Sequence, residues 1–204
     1  MHHAALVALI ATLHQPAAVF RAPSVHTWTR QVLPLSTPLS HQRTSLPVVR
    51  RRGHWLRVLL PGRPNGHAGW IDARKARTWT TPWRVVIKTG SKRLFVLRRG
   101  RIVRSFPVVV GKASTPTPHG RFFVEEALIL RPRSPGWPYA YALSARSNVY
   151  QEFDGGPGQI AIHGTYGIGG TPGRAESHGC IRATTATLAW LIRRFGTGTP
   201  VDIR

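Results

Sequence analysis

Twenty glycines and seventeen prolines cut the apolar residues of this 204-residue chain into short runs. That spacing restricts its fold more than any other feature. In a helix interior a glycine costs roughly 1 kcal/mol and a proline about 3 kcal/mol relative to alanine, so few windows can sustain three turns. Short Val/Ile/Leu/Phe segments bounded by turn formers read as strands. The expectation is a mainly β protein.

Individual segments support this. In His54-Trp55-Leu56-Arg57-Val58-Leu59-Leu60, alternation places Trp55, Arg57 and Leu59 on one face, and Leu56 and Val58 on the other. Pro61 to Gly66 is dense in turn formers, and Gly69-Trp70-Ile71 follows as another short strand. Four or five such strands over residues 17–79 predict a small barrel. Thr80-Thr81-Pro82 reads as a linker. Residues 83–204 hold longer strands: Arg84–Lys88, then Arg93–Leu97 and Ile102–Phe106 around the hairpin signal Arg99-Gly100. Val108–Gly111 continues the second arm, and Phe122–Val124, Ala140–Leu143, Gln159–Ile162 and Pro200–Ile203 complete the set. One helix is expected, from Thr184 to Phe195. Leu188, Leu191, Ile192 and Phe195 form its apolar stripe, Thr184 its N-cap, and Gly196 its stop.

The first sixteen residues admit two readings. Ala4 to Leu13 is an apolar run followed by small residues, as in the hydrophobic region of an export signal, yet it lacks a basic start. It reads equally as a first strand. It is too short to span a membrane.

A net charge of +22 predicts attraction to polyanions. The arginines are scattered, with Arg50-Arg51-Arg52 as a run, and neither a reader helix nor an aromatic RNA-binding motif is visible, so nucleic acid is not an expected partner. Cys180 is the one cysteine, which excludes an internal disulfide and the cysteine-rich zinc patterns.

Ser177-His178-Gly179-Cys180-Ile181-Arg182 directly precedes the helix, so the thiol is expected near its N-terminus, where positive charge favours thiolate. Free loop N–H groups there can hold an oxyanion. Ile160-Ala161-Ile162-His163-Gly164-Thr165 puts a histidine at a strand end. A thiol and an imidazole are the minimum for an activated cysteine nucleophile. A zinc site drawn from His119, His163, His178 and Cys180 fits no closed structural set.

These two blocks together resemble the signature of the YkuD-type L,D-transpeptidases. Thr115-Pro116-Thr117-Pro118-His119-Gly120-Arg121-Phe122 and Gly198-Thr199-Pro200-Val201 add to the resemblance, which covers residues 83–204. Gly53 to Val58 followed by Gly69-Trp70-Ile71 resembles a bacterial SH3-like repeat, so residues 17–79 are expected to be an SH3-like barrel. Residues 83–204 are expected to be a β-sandwich or barrel-like catalytic domain with one main helix. The resemblance implies peptidoglycan stem peptides as substrate, Cys180 as nucleophile and His163 as proton acceptor and donor. The carbonyl of Gly164 or Thr165 would orient the His163 ring. His178 would support the loop, the backbone around Gly179 would hold the oxyanion, Ser177 and Arg182 would brace it, and Tyr141 would line the pocket. No metal or cofactor is implied. Carbapenem-class β-lactams are implied inhibitors, and anionic wall polymers are expected partners.

The implied reaction forms 3→3 cross-links outside the cytoplasm. Water in place of the acceptor amine would make the protein an L,D-carboxypeptidase. A basic wall-binding protein with a silent site is the non-enzymatic alternative. Papain-like enzymes place Cys before His, the reverse of this chain. Sortases need a Thr-Leu-x-Thr-Cys strand that is not seen. Glu176, just before Ser177, departs from the pattern.

Overall fold

A computed structural model describes residues 7–152 and 156–204. Seven antiparallel strands form the N-terminal sheet: β1 (Ala8–Leu13), β2 (Ala17–Phe20), β3 (Trp28–Leu33), β4 (Ser45–Arg52), β5 (Trp55–Leu59), β6 (Ala68–Asp72) and β7 (Ala76–Thr81). Their order in space is β3-β2-β6-β5-β4-β1-β7. The run that could be read as an export segment or a first strand therefore supplies β1, hydrogen-bonded to β4 on one side and to β7 on the other. Its residues 4–6 lie outside the described residues. Ile10, Ala11 and Leu13 are fully buried. The sheet thus starts before residue 17 and runs past residue 79. Thr80 and Thr81, expected in a linker, pair in β7 with Leu9 and Ala8. Only Pro82, which cannot donate a backbone hydrogen bond, separates β7 from the next strand. Trp55 and Trp70 are buried, and Trp55 meets Phe20 edge-on at 5.1 Å.

The second sheet uses β8 (Trp83–Lys88), β9 (Arg93–Arg98), β10 (Arg101–Pro107), β12 (Gly120–Ile129), β13 (Tyr139–Arg146), β14 (Gln159–His163), β16 (Ile181–Arg182) and β17 (Pro200–Ile203), with β11 (Val110–Gly111) and β15 (Ala175–Ser177) as a small parallel pair beside it. The order is β10-β9-β8-β17-β12-β13-β14-β16. The β9–β10 turn has Arg99 and Gly100 both at positive φ, 49° and 77°, the requirement of a tight turn that follows strand twist.

Two expectations need correction. Val108–Gly111 does not extend β10. The strand ends at Pro107, which cannot continue the ladder, and Val110 and Gly111 pair instead with Ala175 and Ser177. The helix α1 spans Thr185–Ile192, capped by Thr184, whose hydroxyl accepts from Thr187 N–H. It ends before Gly196. The Phe195 carbonyl accepts a 2.9 Å hydrogen bond from the Tyr141 hydroxyl, and the two rings stack at 5.4 Å. Phe195 is thereby buried in the core from a turn rather than from the helix.

The two sheets share side chains. Phe123, on β12, inserts into the N-terminal core against residues such as Leu33, Leu46 and Leu60. Glu126, also on β12 and 1% exposed, accepts three hydrogen bonds at its Oε2 from the Leu39 and Ser40 amides and the Ser40 hydroxyl. A buried carboxylate needs such donors to offset its lost hydration. Since Phe123 carries β12 into the N-terminal core, Phe123→Ala should cost about 3–5 kcal/mol. The denaturant midpoint should fall with the slope unchanged, checked by far-UV and tryptophan-fluorescence melts that remain coincident.

Candidate active site

The site is built on the parallel pairing of β14 with β16, where Ile162 faces Ile181 and His163 faces Arg182. Neighbours across a ladder share a face, and successive residues alternate. Ile162 and Ile181 both point into the core, with no exposed surface. His163 and Arg182 therefore project from the opposite face, and Cys180, one residue before β16, projects with them. All three line one cavity of about 740 Å³, with Leu130, Pro135, Ala140, Ile168 and His178.

His163 Nδ1 lies 2.9 Å from the Gly164 carbonyl. A carbonyl only accepts, so Nδ1 carries the hydrogen and Nε2 is left as the basic nitrogen. Of the two carbonyls expected to orient the ring, Gly164 does so. The Thr165 carbonyl is used in a turn, accepting from the amides of Ile168 and Gly169. Burial lowers the His163 pKa, partly countered by the Gly164 bond, and the Arg182 charge lowers it further. Burial raises the Cys180 pKa, against the lowering effects of a hydrogen bond to the Ala161 backbone and the Arg182 charge. Both shifts favour the thiol and the neutral imidazole. Helix α1 does not change this, because Cys180 precedes β16 and the helix starts only at Thr185. A macrodipole acts within the terminal turn, so the expected activation by the helix is not present.

The loop before Cys180 is held by hydroxyls. Ser177, fully buried, donates through its hydroxyl to the Cys180 carbonyl and accepts from the Gly179 amide at 3.1 Å. The Gly179 N–H, one of the donors expected for an oxyanion, is thus already used. Gly179 sits at φ 120°, and an added Cβ would lie 3.1 Å from Ile160 Cδ1. Thr115 Oγ1 donates to the Ser177 carbonyl at 3.1 Å, and Thr117 Oγ1 to the Gly179 carbonyl at 2.8 Å. The Thr-Pro-Thr-Pro segment is therefore a brace for this loop. Glu176 accepts from the Thr171 amide at 2.9 Å and closes the neighbouring turn. Arg182 donates through Nη1 to the Ile168 and Gly169 carbonyls, and its buried Nε has no partner among the described residues.

Three sequence-derived residues sit differently from one another. His178 is exposed at the cavity rim, its ring 6.1 Å from that of Tyr150. His119 is bonded to Thr89 Oγ1 at 2.8 Å. Tyr141 does not line the cavity: it pairs with Ile162, so it faces the core, and its neighbour Ala140, opposite His163, takes the cavity position. Burial pushes the Tyr141 phenol pKa upward.

Comparison with known proteins now bears on this geometry. Residues 82–203 match the model of the L,D-transpeptidase catalytic domain, YkuD. The chain belongs to that family. YkuD of Bacillus subtilis (strain 168) is 31% identical over 147 residues, covering 72% of this chain and 73% of its own. An L,D-transpeptidase crystal structure from Mycobacterium tuberculosis H37Rv superposes with a TM-score of 0.50 at 16% identity, over 82% of this chain and 74% of that one. LdtMt1 in complex with imipenem aligns over 96% of this chain and 82% of its own, at 19% identity and a TM-score of 0.48.

Gly136 was not singled out in the sequence. It sits at φ 83°, its carbonyl accepts from the Gly164 amide at 2.7 Å, and a Cβ there would lie 3.0 Å from His163 Nδ1. A Gly-Trp-Pro triplet in a loop carries no signal of that contact; only the fold brings it to the ring. Gly136→Ala should strain the backbone and displace the imidazole, shifting the His163 ring C–H resonances while leaving the far-UV spectrum intact. A second test addresses the thiol. Because burial raises its pKa, the rate of iodoacetamide alkylation should still be rising above the ordinary thiol range, whereas a preformed thiolate–imidazolium pair would give a plateau near neutral pH.

Proposed function

We propose that this protein is a cysteine acyltransferase that cross-links peptidoglycan stem peptides. The observation that supports this most directly is that His163 and Cys180 project from one face of adjacent strands into a single cavity. As the Cys180 sulfur attacks the carbonyl of the third stem residue, its proton passes to His163 Nε2 and the carbonyl oxygen becomes an oxyanion. The terminal D-alanine leaves with that proton on its amine, and a thioester remains. An acceptor amine then attacks the thioester, gives a proton to His163 and displaces the sulfur, which takes the proton back. The product is a 3→3 cross-link, and no metal or cofactor enters the balance.

Surroundings that favour the neutral forms of both groups suit this sequence, since charge is then needed only while a bond is forming. Arg182 carries a fixed positive charge at the cavity wall, next to where the thiolate and oxyanion develop. With the Gly179 amide held by Ser177, we assign the Cys180 amide as an oxyanion donor. Ser177, Thr115 and Thr117 keep that loop in shape. Water as acceptor would make the same site an L,D-carboxypeptidase. Because peptidoglycan lies outside the membrane, we place the protein in the cell envelope. The net charge of +22 favours retention by anionic wall polymers, with the N-terminal unit, read as SH3-like, as the wall-binding module. A carbapenem presents a strained carbonyl to the same thiol and is the proposed inhibitor class.

Incubation with purified tetrapeptide stems should yield a cross-linked dimer and free D-alanine; tripeptide alone would identify the carboxypeptidase. Cys180→Ser should lose turnover and the carbapenem adduct seen by mass spectrometry. His163→Ala should slow acylation by about 10² to 10⁴-fold near neutral pH, with the deficit shrinking as hydroxide takes over proton removal. An unchanged rate in that variant would remove His163 from the base role.

A further inference from the structure

The N-terminal sheet reaches the candidate site through one turn. Between β5 and β6, Arg63 donates from Nη1 to the Pro157 carbonyl at 2.9 Å and from Nη2 to the carbonyls of Ser147 and Tyr150, each at 2.8 Å. Asn65 pairs with Arg146 in both directions: its Nδ2 donates to the Arg146 carbonyl at 2.7 Å, and its Oδ1 accepts from the Arg146 amide at 2.8 Å. The Gly62 amide adds a bond to the Ser144 carbonyl at 3.2 Å. Arg63 has no carboxylate partner among the described residues. Its guanidinium is spent on three backbone carbonyls that come from two sides of a loop. A planar fork of donors suits that task, and a lysine cannot reproduce it.

The loop so held carries Tyr150. The Ser147 hydroxyl accepts from the amides of Val149 and Tyr150, which fixes the local turn. Gly158 completes it: at φ 65°, a Cβ there would fall 2.2 Å from the Tyr150 carbonyl and 3.3 Å from Arg63 Nη2. The Tyr150 ring meets the His178 ring edge-on, with centroids 6.1 Å apart, and His178 lines the cavity that holds Cys180. A continuous path of contacts therefore runs from the N-terminal sheet to the cavity rim.

We propose that Arg63 is a positioning residue for the acyl-transfer site, setting the Tyr150–His178 rim from the neighbouring sheet. This rests on the reading of Cys180 as an acyl acceptor. Arg63 touches neither the thiol nor the imidazole base, so its effect falls on how substrate is seated and not on proton transfer. The N-terminal unit then serves the reaction indirectly, through the loop that it holds.

The test uses the full chain and a chromogenic carbapenem, with Arg63→Ala, Arg63→Lys, Tyr150→Ala and the Arg63→Ala/Tyr150→Ala pair. Arg63→Ala should raise the half-saturating concentration about five- to twenty-fold, in line with the loss of hydrogen bonds from a charged donor, and leave the limiting acylation rate within about twofold. Arg63→Lys should recover part of the loss. In the Tyr150→Ala background, removing Arg63 should add little, because residues acting through one path are not additive. A half-saturating concentration unmoved by Arg63→Ala, or effects that multiply in the double variant, would overturn the proposal. An equal fall in limiting rate would also do so. The His178 ring C–H resonances give a readout independent of the chemistry: they should shift in Arg63→Ala and in Tyr150→Ala. If they shift while the unaltered protein forms no adduct at Cys180, the acyl-transfer reading fails and the coupling stands. If they stay in place in Arg63→Ala, the coupling fails.

Discussion

Everything at the candidate site depends on a parallel pairing only two residues long. Ile162 against Ile181 and His163 against Arg182 are its whole register, and such a short ladder has little intrinsic stability. Its strength comes from what surrounds it. The two isoleucines are fully buried in a continuous core. The Ala183 amide donates to the His163 carbonyl at 2.8 Å, which extends the contact toward the helix. On the far side, Val109 exchanges both backbone hydrogen bonds with Arg182, at 2.8 and 3.0 Å. Slipping this register by one residue would turn Cys180 into the core and Ile181 into the cavity, so the burial of the isoleucines is also what specifies the direction of the thiol.

The connection from β14 to β16 supplies the rest. It leaves His163 through Gly164, whose amide and carbonyl are both in use, and returns through Ser177 and Gly179. Three hydroxyls, from Thr115, Ser177 and Thr117, satisfy carbonyls of the returning loop. Hydroxyls are economical here because each can donate and accept at once: Thr117 accepts from the Gly111 amide at 2.8 Å while donating to Gly179. Gly111 allows this closeness, since a Cβ there would lie 2.4 Å from the Thr115 carbonyl oxygen. A loop satisfied internally in this way is stiff before substrate arrives, which reduces the ordering cost at the reacting atoms.

Much of this was legible in the sequence, for identifiable reasons. The β character followed from the spacing of glycine and proline, and most strands from short apolar runs. The Thr184 cap was visible because a threonine preceding an apolar stripe has few other uses. The blocks around His163 and Cys180 stood out because chemistry restricts residue type at fixed spacing. What was hidden depended on tertiary contact. Tyr141 gave no sign of facing the core, because both faces of β13 are buried and alternation is silent there. The end of α1 was misplaced because Phe195 continues the apolar stripe yet is drawn into a turn by Tyr141. Gly136, Arg63 and Asn65 lie far along the chain from the residues they support. Nothing in their own neighbourhoods records it.

The relation between the two sheets follows from the same contacts. β12 is the strand they share in effect: Phe122 and Val124 belong to the core beneath the site, Phe123 points the other way into the N-terminal core, and Glu126 receives the turn at Leu39 and Ser40. Alternation from Phe122 to Val124 packs both units, and the register shift between Val124 and Glu126 turns Glu126 to the N-terminal side. One residue of β12 also ties the far side of the site to this seam. Glu125 accepts from Arg146 at 3.1 Å and from Gln159 at 2.8 Å, and the Gln159 carbonyl lies 4.0 Å from the Cys180 sulfur. Burial raises the Glu125 pKa, opposed by Arg146. A carboxylate in that position is stable only while the guanidinium stays beside it. Arg146, in turn, is the residue that Asn65 holds by its backbone. The N-terminal sheet therefore contacts the strand that carries the ion pair behind the thiol as well as the loop that carries the rim, and removing it would loosen the site from two directions.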